Sequence, residues 1–198
     1  MRACCPSKPR ESFMTEEGNP WQTLRSKEVY ENPWIRVVEN QVIHPAGSEG
    51  IYGVVHFKNL ATGVVPLDED NNTWLVGQYR YPLEQYSWEI PEGGGEKGSD
   101  PLHAVQRELR EETGITAKEW TLVQVMHLSN SVSDEVAYLY VARDLAFGTA
   151  APEESEELAL RKVPFTEVLR MVLEGEITDA MTVTAILRVA MLLGKECV

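Results

Sequence analysis

The segment from Gly93 to Ile115, GGGEKGSDPLHAVQRELREETGI, constrains this chain more than any other. Its second half predicts a helix over Ser99 to Thr113. Asp100 stands where an N-cap belongs, Pro101 suits the first turn, and Gly114 follows where the chain must leave the helix. Leu102, Val105 and Leu109 form its core stripe. At roughly 100° per residue, Glu108, Glu111 and Glu112 fall within an arc of about 100° beside that stripe. Three carboxylates on one face repel one another unless cations neutralise them, and hard oxygen ligands favour Mg²⁺ or Mn²⁺. The competing reading is a solvated acidic face paired along the helix with Arg107 and Arg110. The glycine run that leads into the helix favours the metal.

Around this segment the pattern alternates between strands and helices. Trp34 to Val38, Asn40 to His44 and Ile51 to Phe57 are short β-rich runs parted by Asn32-Pro33 and Pro45-Ala46-Gly47, which predicts a small antiparallel sheet. Gly63 to Pro66 and Thr73 to Tyr79 are strands around a turn at Asp68 to Asn72. After the helix come strands at Thr121 to His127 and Glu135 to Ala142, then an acidic loop from Gly148 to Glu157. A strand at Leu158 to Val163 and two helices, Phe165 to Glu174 and Asp179 to Leu193, follow. The expected division is a flexible tail over 1–19, an N-terminal β domain over 20–58 and a main domain over 59–198. Met14 offers an alternative start within that tail.

Composition removes several classes of function. A chain of 198 residues with 43% hydrophobic content can bury a sizeable core. With 31 acidic residues against 18 basic, its formal charge of −13 repels a phosphate backbone. Binding of polymeric nucleic acid is therefore not expected. A small anion is still admissible, because carboxylate-held metal ions reverse the local sign of charge. No apolar run approaches the roughly 20 residues that span a bilayer, and Met1 to Glu17 lacks the apolar segment of a signal peptide. Cys4, Cys5 and Cys197 have no zinc or disulfide spacing, which fits a reducing cytoplasm. The four histidines lack mutual ligand spacing.

The segment resembles the Nudix box, G-x5-E-x7-R-E-U-x-E-E-x-G-U, where U is a bulky aliphatic residue. Gly93, Arg107, Glu108, Leu109, Glu111, Glu112, Gly114 and Ile115 are in register. Ser99 stands where the pattern has its first glutamate, a position that is not a main metal ligand in the family. The departure therefore bears on loop anchoring rather than chemistry. Gln78-Tyr79-Arg80, Trp88-Glu89-Ile90-Pro91-Glu92-Gly93 and the later Gly175-Glu176-Ile177-Thr178-Asp179-Ala180 resemble the ADP-ribose and nucleotide-sugar pyrophosphatases. The resemblance runs from about Trp34 to Leu193. It implies an α/β/α sandwich with a mixed sheet, plus a small N-terminal antiparallel β domain exchanged in a homodimer.

The resemblance also implies roles. Glu108 and Glu112 bind the metal, the backbone carbonyl of Glu92 assists, and Glu111 supports the site or contacts a further ion. In the acidic loop Glu154 is the general base and Glu156 a metal ligand, with Glu153 or Glu157 as replacements for either. Arg80 binds substrate phosphate or forms a structural pair with Glu89. Trp34 and Tyr52 stack on the nucleobase across the dimer or pack in the core. Glu135 contacts the ribose side of the substrate or simply begins a strand. The implied reaction is metal-dependent hydrolysis of the pyrophosphate of a nucleoside diphosphate sugar.

Other readings remain open at this point. GDP-sugars, dinucleotides and NADH are alternative substrates, because Asn130 occupies a position downstream of the box where ADP-ribose pyrophosphatases commonly carry proline. The signature of coenzyme A pyrophosphatases is not evident. A non-catalytic sensor of a nucleotide metabolite would have lost its metal ligands, whereas Glu108, Glu111 and Glu112 are all retained.

Overall fold

The computed structural model describes residues 18–151 and 158–196. Three β-sheets and three helices account for most of them. Strands β1 (Gln22–Glu31), β2 (Ile35–Ile43) and β3 (Glu49–Phe57) form an antiparallel N-terminal sheet in that order. The central sheet contains β4 (Asn59–Pro66), β7 (Glu92–Glu96), β8 (Ile115–His127) and β9 (Val136–Phe147), ordered β7-β4-β9-β8. It is mixed, because β4 and β9 run parallel while the other pairs are antiparallel. A third sheet places β5 (Asn72–Arg80) between β10 (Ala159–Pro164) and β6 (Gln85–Glu89).

Period-2 alternation explains why the central sheet is covered on both faces. Val64 and Tyr140 pack on one side with Val105 and Leu109 of helix α1 (Pro101–Thr113). Their neighbours Val65, Leu139 and Val141 face the other side. There they meet Val168 and Met171 of α2 (Phe165–Leu173), and Ala185, Ile186 and Val189 of α3 (Ala180–Glu196). The result is a helix, sheet, helix sandwich beside a small antiparallel sheet. Among the described residues no helix is long and apolar enough to cross a membrane.

Helix α1 starts and stops as its sequence predicts. The Asp100 side chain accepts a hydrogen bond from the Leu102 N–H at 2.9 Å, and Gly114 takes the left-handed conformation at φ 72°. Elsewhere the boundaries differ. The strand β1 is a separate ten-residue element that the sequence reading did not single out, and all its residues are exposed. In β2 the chain continues through Glu39, where a break was expected; Glu39 pairs with Lys27 on one side and Gly53 on the other. An open sheet face tolerates such a charge. The strand β8 begins directly at Ile115 rather than Thr121, because Ile115, Ala117 and Trp120 join the cluster under α1. The strands β6 and β7 were also unanticipated. A 3-10 turn at Tyr81–Leu83 and the left-handed Glu84 fold β6 back on β5, bringing Gln85 opposite Arg80. The expected tail, apart from its last two residues, and Glu153, Glu154, Glu156 and Glu157 lie outside the described residues.

Candidate active site

The strand β7 and helix α1 approach closely: a Cβ added at Gly95 would meet the Ala104 Cβ at 2.6 Å. A Cβ added at Gly93 would land on the Glu108 carboxylate. Arg107 fastens the two elements: Nη2 donates to the Gly94 carbonyl at 2.8 Å and to Glu108 at 2.6 Å, while Nη1 donates to Glu111 at 2.8 Å. Glu112 is buried, and its carboxylate accepts the Glu92 N–H at 3.1 Å. Glu112, and Glu108 through Arg107, are therefore held against β7, whereas Glu111 pairs along the helix with Arg107 and Arg110, as the competing reading of the acidic face expects.

On the other side of β7 lies an open cleft of about 690 Å³. Arg80, Glu89, Glu92 and Asp179 line it together with Trp34 and Glu135. The Arg80 guanidinium grips Glu89, with Nε at 3.0 and 3.1 Å from its two oxygens and Nη2 at 2.5 Å, and Nη2 also donates to Glu92 at 2.7 Å. The structural pair with Glu89 is thus present, and it holds Arg80 at the wall of the cleft. Trp34 is 67% exposed, free of the core packing open to a strand aromatic. Burial first, then its neighbour Asp134, raises the Glu135 carboxyl above the usual range.

Tyr52 is not among the residues lining the cleft. Its hydroxyl donates to the Ser131 carbonyl at 2.7 Å, and its ring meets Trp21 edge-on at 5.3 Å.

Two features of the site went unassigned in the sequence. From the sequence Glu92 has a role through its carbonyl alone, yet its side chain also lines the cleft, where it accepts from Arg80. Asp179 received no role, although oxygens of Glu89, Glu92 and Asp179 lie within 4.8 Å of one another. Its signal was a polar residue at the start of a helix: Asp179 accepts the Thr182 N–H at 2.7 Å and caps α3. Thr182 in turn accepts the buried Ile90 N–H at 3.0 Å, so α3 supports the corner between β6 and β7.

The donor set fits a divalent cation. The carboxylates form two groups: Glu89, Glu92 and Asp179 converge in the cleft beside Arg80, whereas Glu108, Glu111 and Glu112 stand on α1 around Arg107, do not line the cleft, and connect to it through the Glu92 N–H that Glu112 accepts. Burial, followed by repulsion from Asp179 and Glu89, pushes the Glu92 carboxyl well above the usual range against the pull of Arg80. One of its oxygens, Oε2, is buried without a hydrogen-bond partner. An excess of hard oxygen ligands with an unsatisfied acceptor suits Mg²⁺ or Mn²⁺.

A carboxylate row locked behind a glycine-rich strand, on a helix packed against a mixed sheet, defines a Nudix hydrolase, and the chain belongs to that family. Residues 57–182 match the NUDIX domain, and residues 21–55 match the nucleoside diphosphate sugar hydrolase N-terminal domain. The ADP-ribose pyrophosphatase of Bacillus subtilis (strain 168) is 30% identical over 167 residues, covering 83% of this chain and 90% of that protein. The methanol dehydrogenase activator of Bacillus methanolicus is also 30% identical, with the same coverage. The fold is shared with a crystal structure of an ADP compounds hydrolase, at a TM-score of 0.81 and 21% identity over 92% of this chain and 98% of that one.

Proposed function

We propose that this Nudix hydrolase splits the pyrophosphate of nucleoside diphosphate sugars such as ADP-ribose, releasing a nucleoside monophosphate and a sugar phosphate. The observation that supports this reading is the row Glu108, Glu111 and Glu112, locked by Arg107 and the Glu92 N–H next to a strand whose Glu92, Gly93 and Gly94 line a cleft wide enough for a nucleotide. The match to a nucleoside diphosphate sugar hydrolase N-terminal domain and the relatives named ADP-ribose pyrophosphatase support the substrate class.

Glu108, Glu112 and Glu156, with the Glu92 carbonyl, are the residues that would hold Mg²⁺ or Mn²⁺; Glu111 supports them. A divalent ion held there supplies charge screening of the pyrophosphate and acidifies water. Glu154 takes the proton of the attacking water as general base. Arg80, preoriented by Glu89, binds a substrate phosphate by charge-assisted hydrogen bonds. Trp34 stacks on the base, and Glu135 accepts hydrogen bonds from ribose hydroxyls. Tyr52 completes the stack from a second protomer. The exposed Leu24, Val29, Tyr30 and Ile51 of the N-terminal sheet support a homodimer.

Product release from ADP-ribose, GDP-mannose, UDP-glucose, NADH and a diadenosine polyphosphate, with Mg²⁺ and with chelator, tests the proposal. Metal-dependent cleavage of the nucleotide sugars is expected. Tight binding of one compound without turnover would instead identify a nucleotide sensor.

A further inference from the structure

Helix α1 presents a second polar stripe, flanking the carboxylate row on the side of Arg107 and Arg110. His103, Gln106, Arg107 and Arg110 recur at i, i+3, i+4 and i+7, the spacing that stacks side chains on one helix face. This face overlooks the start of β8, and between them lies a cavity of about 440 Å³ with Trp120 in its wall. Its lining includes two guanidiniums, an imidazole and an amide, and none of the described lining residues is acidic. In a chain of 31 acidic and 18 basic residues, a cavity lined by two arginines and a histidine without an acid runs against the composition, although Glu111 flanks both arginines.

The donors there are unequally committed. Arg107 spends Nη1 and Nη2 on Glu108, Glu111 and the Gly94 carbonyl. Arg110 is 61% exposed at its side chain and meets Glu111 only at 3.7 Å, beyond hydrogen-bonding distance. The Trp120 indole is fixed, because its Nε1–H donates to the Ala117 carbonyl at 3.1 Å and its ring meets Tyr140 edge-on at 6.4 Å. A fixed aromatic wall facing a weakly engaged guanidinium suits an anion attached to an apolar or planar body.

We propose that this cavity is a second anion site, separate from the pyrophosphate cleft, that binds the phosphate group of a small phosphorylated metabolite. Arg110 and His103 supply the new hydrogen bonds, Arg107 adds positive charge from behind, and Trp120 packs against the body of the ligand.

The test is a titration of the whole chain with inorganic phosphate in the presence of chelator, so that no divalent ion carries phosphate to the cleft carboxylates. The Trp120 indole N–H resonance, assigned with Trp120→Phe, reports on the cavity. A saturable shift is expected in the wild type and in Arg80→Gln, with affinity at least about tenfold weaker in Arg110→Gln and His103→Gln. No saturable shift, or one unchanged in Arg110→Gln, overturns the proposal. So does a shift lost in Arg80→Gln and kept in Arg110→Gln, which assigns the phosphate to the cleft. The readout is binding without metal, so its failure leaves the hydrolytic reading standing, and absence of hydrolysis leaves the titration interpretable.

Discussion

The N-terminal sheet and the central sheet use the same backbone ladders and have opposite fates. In the central sheet Val64, Val65, Ala137, Leu139 and Ala142 have no accessible surface. In the N-terminal sheet Val42 alone is buried. Hydrogen bonds exchanged for water contribute little net free energy, and three strands without a covered apolar face are marginal. The central sheet obtains its cover from α1 on one side and α2 and α3 on the other. The N-terminal sheet is tethered through β3, where the Val55 N–H donates to the Val132 carbonyl and the Asp134 N–H to the Val55 carbonyl. His56 and the Phe57 N–H both reach the Asp134 carboxylate. One sheet is thus covered by this chain's own helices, while the other stays open over most of its surface.

Matched substitutions sharpen this contrast. Leu139→Ala should cost about 2–5 kcal/mol of unfolding free energy, because it empties a closed core. Ile51→Ala, at a position 69% exposed, should change the stability of a dilute monomeric protein by less than about 0.5 kcal/mol. Urea denaturation measures both, and equal losses would break the comparison. Chemistry should follow the central sheet as well: Glu112→Gln should lower kcat by about a hundredfold or more while leaving the circular dichroism spectrum unchanged. Full turnover in that variant would remove the metal assignment.

If a second copy covers the N-terminal sheet, Ile51→Asp should shift sedimentation from dimer to monomer without lowering the melting temperature of the central domain by more than a few degrees. A wild-type monomer would require another partner for those strands. The smallest effect concerns Asp68, in the turn before β5. Burial alone would raise its carboxyl, but Lys162 and the side-chain and backbone N–H groups of Asn72 outweigh that and bring it to about 2. A carboxyl held below its unfolded value of 3.8 stabilises the fold above that pH, and this contribution disappears as pH falls toward about 2. Asp68→Asn should flatten the acid limb of stability between about pH 4 and pH 2, read from urea midpoints.

What the sequence made legible were features whose signals are local. Asp100, Gly114 and the stripe Leu102, Val105 and Leu109 identify α1 because caps and periodicity sit within one element. The row Glu108, Glu111 and Glu112 follows from helix geometry. The strands β6 and β7 were hidden because each is five residues long, one next to a Pro-containing turn and the other rich in glycine. The strand β1, QTLRSKEVYE, shows no clean alternation, since neither of its faces is buried within the protomer. Asp179 and Glu89 meet only after α3 folds back over the corner between β6 and β7, a tertiary event that no spacing encodes.

That last contact bears on the order of synthesis. The corner bearing Glu89 and Glu92 is supported by Thr182 and faces Asp179, both encoded well after the Nudix helix. A growing chain has synthesised β1 to β3 and α1 before those residues leave the ribosome. During that interval the glutamate row exists without the far wall of its cleft. The cleft as described, with Asp179 in its wall, exists only once α3 has docked.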